Sequence, residues 1–270
     1  MDFCDLNFVQ GFIRLTSDAF VKGWHERNGG NLSYRLTAEE TRSAATFCKP
    51  LSQCAESGIG CAVPALAGET FLVTGSGRYM RNIALDAEAN IALITINSAG
   101  THYAPRWGLC EGGRPTSELP THLLNHEAAM KRTDGLHRVI YHAHPANSIA
   151  LTFILPPNDR DWTLELWEAA TECPVVFPEG VGYVGWMVPG GAEIGMATAQ
   201  KIARYNVVIW AHHGVFCSGG TFDETFGLMD TVEKAAEIAV KVRSMGAKRQ
   251  TITGDDFTAL AKAFNVKLGF

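Results

Sequence analysis

The chain has 270 residues, 46% hydrophobic and 19% charged, with a formal net charge of −5. That length allows one large domain or two small ones, and the composition is that of an ordinary soluble globular protein. The acidic balance argues against a phosphate-backbone-binding surface, which needs clustered Lys and Arg, so no nucleic-acid partner is expected.

The start, "MDFCDLNFVQGF", lacks the basic and apolar regions of a secretory signal, and no run approaches the ~18 apolar residues of a membrane span. Seven cysteines, among them Cys110, form no C-x-x-C pair. An odd, scattered set reads as free thiols in a reducing cytoplasm.

"LNFVQGFIRLTSDAFVKGW" repeats apolar residues every three or four positions and predicts an amphipathic helix. "NGGNLSYRL" is a glycine turn followed by a strand, and residues 41–69, with Pro50, Gly58, Gly60 and Pro64, read as a long irregular excursion. "TFLVTGSGRYM" is a short strand entering a glycine turn. "DAEANIALITINSAGTHYAPRWG" predicts a turn of helix and then a hairpin bent at "SAG". Residues 114–133 form a helix with polar residues at its start. "RVIYHAHP" is a strand ending at Pro145, where the next helix begins. After a turn-rich stretch, "EIGMATAQKIARY" is helical, "NVVIWAHHGVFCSGG" is an apolar strand ending in histidines, and 221–246 is a long helix. The alternation points to one α/β domain over 1–270, with a semi-independent N-terminal segment to about residue 85 as a variant of that reading.

Residues i and i+2 of a strand share a face, so His142 and His144 can converge on one ion while Ala143 faces away. A second strand end carries His212 and His213; adjacent residues face oppositely, so only one can join, and spacing does not say which. Three neutral imidazoles with an open fourth position are the usual ligands of catalytic zinc. A rival pair, His122 and His126, lies four apart on a helix but lacks the H-E-x-x-H order and sits beside Leu123 and Leu124. His25, His102 and His137 read as surface residues.

"PTSELPTH" puts Glu118 in the first turn of its helix, with Thr116 or Ser117 as N-cap. An acid there either steadies the helix dipole or serves as a general base beside anion-holding amides. "ERNGGNLSYR" and "VTGSGRY" are glycine turns with Asn or Ser donors that suit close approach to a phosphate, although each alone also fits an ordinary turn.

In this order N-G-G-N-L, T-G-S-G, T-S-E-L-P, H-A-H-P and H-H-G cover most of residues 20–246, and the chain resembles the class II aldolase/adducin family. The resemblance implies a three-layer α/β/α sandwich with a mainly antiparallel central sheet. It implies one Zn²⁺ per subunit on His142, His144 and His213, with Glu118 as catalytic acid/base. It also implies a phosphate held among Asn28, Gly30, Asn31, Ser76, Gly77, Thr116 and Ser117. Glu172 would serve the aldehyde end of substrate from a neighbouring subunit, in a homotetramer with active sites at subunit interfaces. The implied reaction is metal-dependent, reversible cleavage of a small phosphorylated sugar to dihydroxyacetone phosphate and L-lactaldehyde. Helix start and cation would lower the pKa of Glu118 and an apolar wall would raise it. Within the same superfamily a fuculose-phosphate aldolase, a pentulose-phosphate 4-epimerase or a thiosugar-phosphate dehydratase uses a similar zinc site. Other classes are a non-catalytic adducin-like interaction protein and a zinc hydrolase.

Overall fold

The computed structural model describes residues 2–109 and 112–270, so Cys110 lies outside the described residues. The first half contains α1 (Asn7–Val21), β1 (Asn31–Arg35), α2 (Ala38–Ala44), β2 (Ser57–Gly58), β3 (Thr70–Thr74), α3 (Ala87–Asn90), β4 (Ile91–Ile96) and β5 (His102–Gly108). Then come α4 (Leu119–Arg132), β6 (Val139–Ala143), α5 (Ala146–Leu151), α6 (Asp159–Ala169), α7 (Cys173–Val176) and β7 (Val181–Val184). The chain closes with α8 (Ala192–Ile202), β8 (Val207–Trp210), β9 (Gly214–Gly219), α9 (Phe222–Met245) and α10 (Gly254–Phe264).

The strands form one nine-stranded sheet in the order β2-β5-β4-β3-β1-β6-β9-β8-β7, with β7 and β8 parallel and every other neighbour antiparallel. Side chains alternate between its faces, as a pleated strand requires. Leu32, Tyr34, Val139, Tyr141, Ala143, Val215 and Cys217 pack with α1 and α9 residues such as Phe12 and Met229. Ile140, Phe216 and Trp210 point the other way, toward Ala129 of α4 and Ile194 of α8. The result is the three-layer arrangement expected, with a mainly antiparallel sheet covered on both faces. Both faces being covered, β1 and β6 are buried throughout rather than half exposed.

Several local expectations change. The excursion at 41–69 opens on α2, whose N-cap Thr37 and Glu40 form a reciprocal capping box. "NVVIWAHHGVFCSGG" is a tight β8–β9 hairpin with the two histidines in its turn, not one strand; His212 takes φ 57° there. Helices α6 and α10 escape the periodicity reading. Among the described residues the free thiols are Cys4, Cys48, Cys54, Cys61, Cys173 and Cys217. No helix among the described residues is long and apolar enough to cross a membrane.

Candidate metal centre and acid/base site

Strand pairing brings the site together. In the β1–β6 ladder Asn31 lies opposite His142, and in the β6–β9 ladder His142 lies opposite Phe216, so all three side chains share the face that looks toward α4. His144 lies one residue beyond the end of β6, and its backbone N–H donates to the Trp24 carbonyl, tying the strand exit to the segment that follows α1. His213 ends the β8–β9 turn, its N–H donating to the carbonyl of Trp210.

The rings of His142, His144 and His213 form a triangle with centroids 5.0, 5.0 and 4.9 Å apart. One ligand atom from each lies within 4.8 Å of the other two, and among the described residues this is the group of His, Cys, Asp and Glu able to hold a metal ion. His212 is turned away, its ring against Phe153 and its Nδ1 3.0 Å from the Thr152 hydroxyl. The alternative left open by spacing thus resolves to His213.

Hydrogen bonding fixes the tautomers. His142 Nδ1–H donates to the Val215 carbonyl at 3.1 Å, and His144 Nδ1–H donates to Glu26 Oε1 at 2.7 Å. Each ring is left with a lone pair on Nε2, and both of these buried atoms lack a protein partner. Such a pair of orphaned acceptors would be costly in a dry core and fits a cation instead. Burial holds His142 well below its ordinary pKa and His213 down at about 4, so both present neutral, ligating rings. The wall around them is aromatic: Phe216 stacks on His142 at 4.2 Å and Trp210 lies 5.2 Å away.

Backbone closeness explains two glycines. A Cβ on Gly214 would meet the Ala143 carbonyl at 2.3 Å and carbons of His142 and His144 at 3.0 Å. Gly30, at φ +74°, faces the His25 ring, which a Cβ would approach to 2.4 Å. His25 is therefore not a surface residue; it is buried, Nδ1 donating to the Gly29 carbonyl and Nε2 accepting from the Tyr141 hydroxyl, and burial lowers its pKa to about 4.

Glu118 stands at the N-cap of α4 rather than inside its first turn, without a side-chain capping bond, and Thr116 and Ser117 precede it. The carboxylate does not spend itself on its own helix. Oε2 lies 3.7 Å from His142 Nε2 and accepts a hydrogen bond from Asn31 Nδ2 at 2.9 Å. Burial raises its pKa above the usual carboxylate value, with the Asn31 hydrogen bond and nearby His144 opposing. In the protein alone burial thus prevails over both opposing influences.

The glycine turn at Ser76 and Gly77 and the stretch before α4 run side by side. Ser76 N–H donates to the Arg114 carbonyl and Thr116 N–H to the Thr74 carbonyl, both at 2.8 Å. Ser76, Gly77 and Ser117 are exposed there, and Thr116 is buried with its hydroxyl accepting from the Glu118 N–H. Asn28 is exposed in the other turn, whereas Asn31 is buried and engaged by both Glu118 and His122. Glu172 is exposed at the N-cap of α7 and makes none of the described contacts with the three imidazoles or Glu118. His122 and His126 are fully buried on α4 and bond to Ser33, apart from the metal-competent group. Sequence reasoning missed Glu26; its one signal is the acid next to the glycine turn in "HERNGG".

Comparison with known proteins bears on the family and the fold. The chain is 51% identical to a rhamnulose-1-phosphate aldolase of Klebsiella pneumoniae subsp. pneumoniae, over 97% of this chain and 95% of that protein. It is 52% identical to the rhamnulose-1-phosphate aldolase of Salmonella typhimurium, over 96% and 94%. Among solved structures, a sugar-phosphate aldolase from Thermotoga maritima superposes with a TM-score of 0.72 at 28% identity, covering 88% of this chain and 97% of that one. An L-fuculose-1-phosphate aldolase from Thermus thermophilus shares the fold at TM-score 0.57 and 20% identity, covering 89% and 97%. Residues 10–240 match the family model described as Class II Aldolase and Adducin N-terminal domain, and the chain belongs to that family.

Proposed function

We propose that this chain is a class II aldolase that reversibly cleaves L-rhamnulose 1-phosphate to dihydroxyacetone phosphate and L-lactaldehyde. The identity above 50% over nearly the whole of curated rhamnulose-1-phosphate aldolases supports that substrate. The single observation that carries the chemistry is the Glu118 carboxylate 3.7 Å from a ligand-competent nitrogen of a three-histidine cluster.

His142, His144 and His213 would hold a divalent cation, and zinc suits three neutral imidazoles. Such an ion would supply electrophilic stabilisation of negative charge developing on the substrate. Glu118 moves a proton onto or off the substrate carbon beside the broken bond. Asn28, Gly30, Asn31, Ser76, Gly77, Thr116 and Ser117 would hold the phosphate and so fix the orientation of the substrate. The strapped segments at 74–77 and 114–117 support that reading, since their hydrogen bonds hold Ser76 and Gly77 beside the stretch that carries Thr116 and Ser117. Glu172, exposed and remote from the cluster's contacts, suits a role delivered to a neighbouring subunit, in a cytoplasmic homotetramer whose protomer acts as one domain.

The test is a cleavage assay on L-rhamnulose 1-phosphate with its stereoisomeric ketose phosphates as controls, coupled to elemental analysis. Glu118→Gln should keep stoichiometric metal and nearly abolish proton exchange of dihydroxyacetone phosphate. Full exchange in that variant would remove Glu118 from the mechanism, and preferred cleavage of another ketose phosphate would reassign the substrate.

A further inference from the structure

Behind Glu118 runs a buried polar ladder. On α4 Glu118, His122 and His126 follow at intervals of four and share one helix face. On β1 Asn31 and Ser33 follow at an interval of two and share one strand face. Four helical residues rise about 6 Å and two strand residues about 6.6 Å, so the two stripes match rung for rung. Asn31 Nδ2 bonds Glu118, Asn31 Oδ1 bonds His122 Nε2, and the Ser33 hydroxyl lies 2.6 Å from His122 Nδ1 and 2.8 Å from His126 Nε2. Ser33, His122 and His126 are fully buried, and Asn31 and Glu118 are nearly so.

Only one set of orientations satisfies this ladder when Glu118 is a carboxylate, because a carboxylate only accepts. Asn31 must show its NH₂ to Glu118, so its carbonyl faces His122. His122 must therefore donate from Nε2, which leaves a lone pair on Nδ1 for the Ser33 hydroxyl proton. The Ser33 oxygen then accepts from His126 Nε2–H. The chain ends at His126 Nδ1, a buried acceptor without a partner. Every donor points toward Glu118. An amide flipped the other way would set its oxygen against the carboxylate and leave His122 without its acceptor.

We propose that His122, backed by Ser33 and His126, is a positioning residue for the aldol reaction: it locks the Asn31 amide so that the carboxylate of Glu118 is held beside the metal centre. This rests on the reading of Glu118 as acid/base. The two α4 histidines thus acquire a role that is neither metal ligation nor simple packing.

The experiment compares wild type with His122→Phe, which fills the space without polar atoms, and His122→Gln, which retains an N–H for Asn31. His122→Phe should keep stoichiometric metal and a cooperative unfolding transition, lose about tenfold or more in kcat, and change KM far less. His122→Gln should recover most of that loss. A folded, metal-loaded His122→Phe enzyme with wild-type kcat overturns the proposal, as does a folded His122→Gln enzyme no faster than His122→Phe. Should His122→Phe fail to fold, ¹⁵N-histidine NMR of the wild-type protein decides: His122 must carry its proton on Nε2, and a proton on Nδ1 instead overturns the proposal. A wild-type enzyme inert toward every ketose phosphate would count against the functional reading, whereas an active wild type with an unaffected His122→Phe variant counts against this one.

Discussion

Glu26 accepts a hydrogen bond from His144 Nδ1 at 2.7 Å, although its own side chain is two-thirds exposed. The bond turns the opposite ring nitrogen toward His142 and His213, so an acid from the loop after α1 orients one imidazole of the three-histidine cluster. Glu26→Ala should weaken metal binding by roughly 10–100-fold, as loss of an outer-sphere partner does elsewhere. Competition with a chelator of known affinity measures it; unchanged affinity would show that packing alone orients the ring.

His144→Ala should lose metal and activity together. His126→Ala should keep stoichiometric metal, because the α4 pair lies apart from the three-ring cluster. Atomic absorption on the purified variants checks both, and full metal content in His144→Ala would move the site elsewhere.

Gly214→Ala should damage the centre without replacing any of its three histidines. Its methyl would press on the Ala143 carbonyl and on both β6-end rings, and backbone cannot yield as a flexible side chain would. The expected cost is about 1–3 kcal/mol of stability, with reduced metal occupancy. Urea denaturation and elemental analysis read the two effects; an unperturbed variant would mean the hairpin shifts freely.

Stability of the chelator-treated protein should fall as the pH drops from neutrality. His122 and His25 are buried neutral, held by burial at about 3 and about 4. Once unfolded they take up protons below about 6.5, so protonation favours the unfolded chain. For each ring the loss begins near pH 6.5 and continues down to its folded value. Its slope approaches roughly 1.4 kcal/mol per pH unit. Urea midpoints at pH 7.5 and 5.5 measure it, and a midpoint that rises on acidification contradicts this account.

The sequence made the metal-competent pair legible because strand parity is local: His142 and His144 share a face whatever else the chain does. It could not distinguish His212 from His213, because that depends on a hairpin turn with φ 57° at His212. His25 reads as surface from its polar neighbours, yet Tyr141, 116 residues away, claims its ring. The same limit hid the link between Asn31 and Glu118, which exists only once β1 is paired and α4 laid across it. Helix α6 was missed because its buried Trp162, Leu166 and Trp167 lie among acids and threonines that dilute the periodic signal.

The order of the sheet also bears on synthesis. β6, which carries His142, is flanked by β1 from near the start of the chain and β9 from beyond residue 213. A nascent polypeptide emerging from the ribosome therefore has no complete ligand set until about four-fifths of it has been made. Prematurely terminated products ending before the β8–β9 hairpin would lack His213 and so could not assemble the three-histidine cluster.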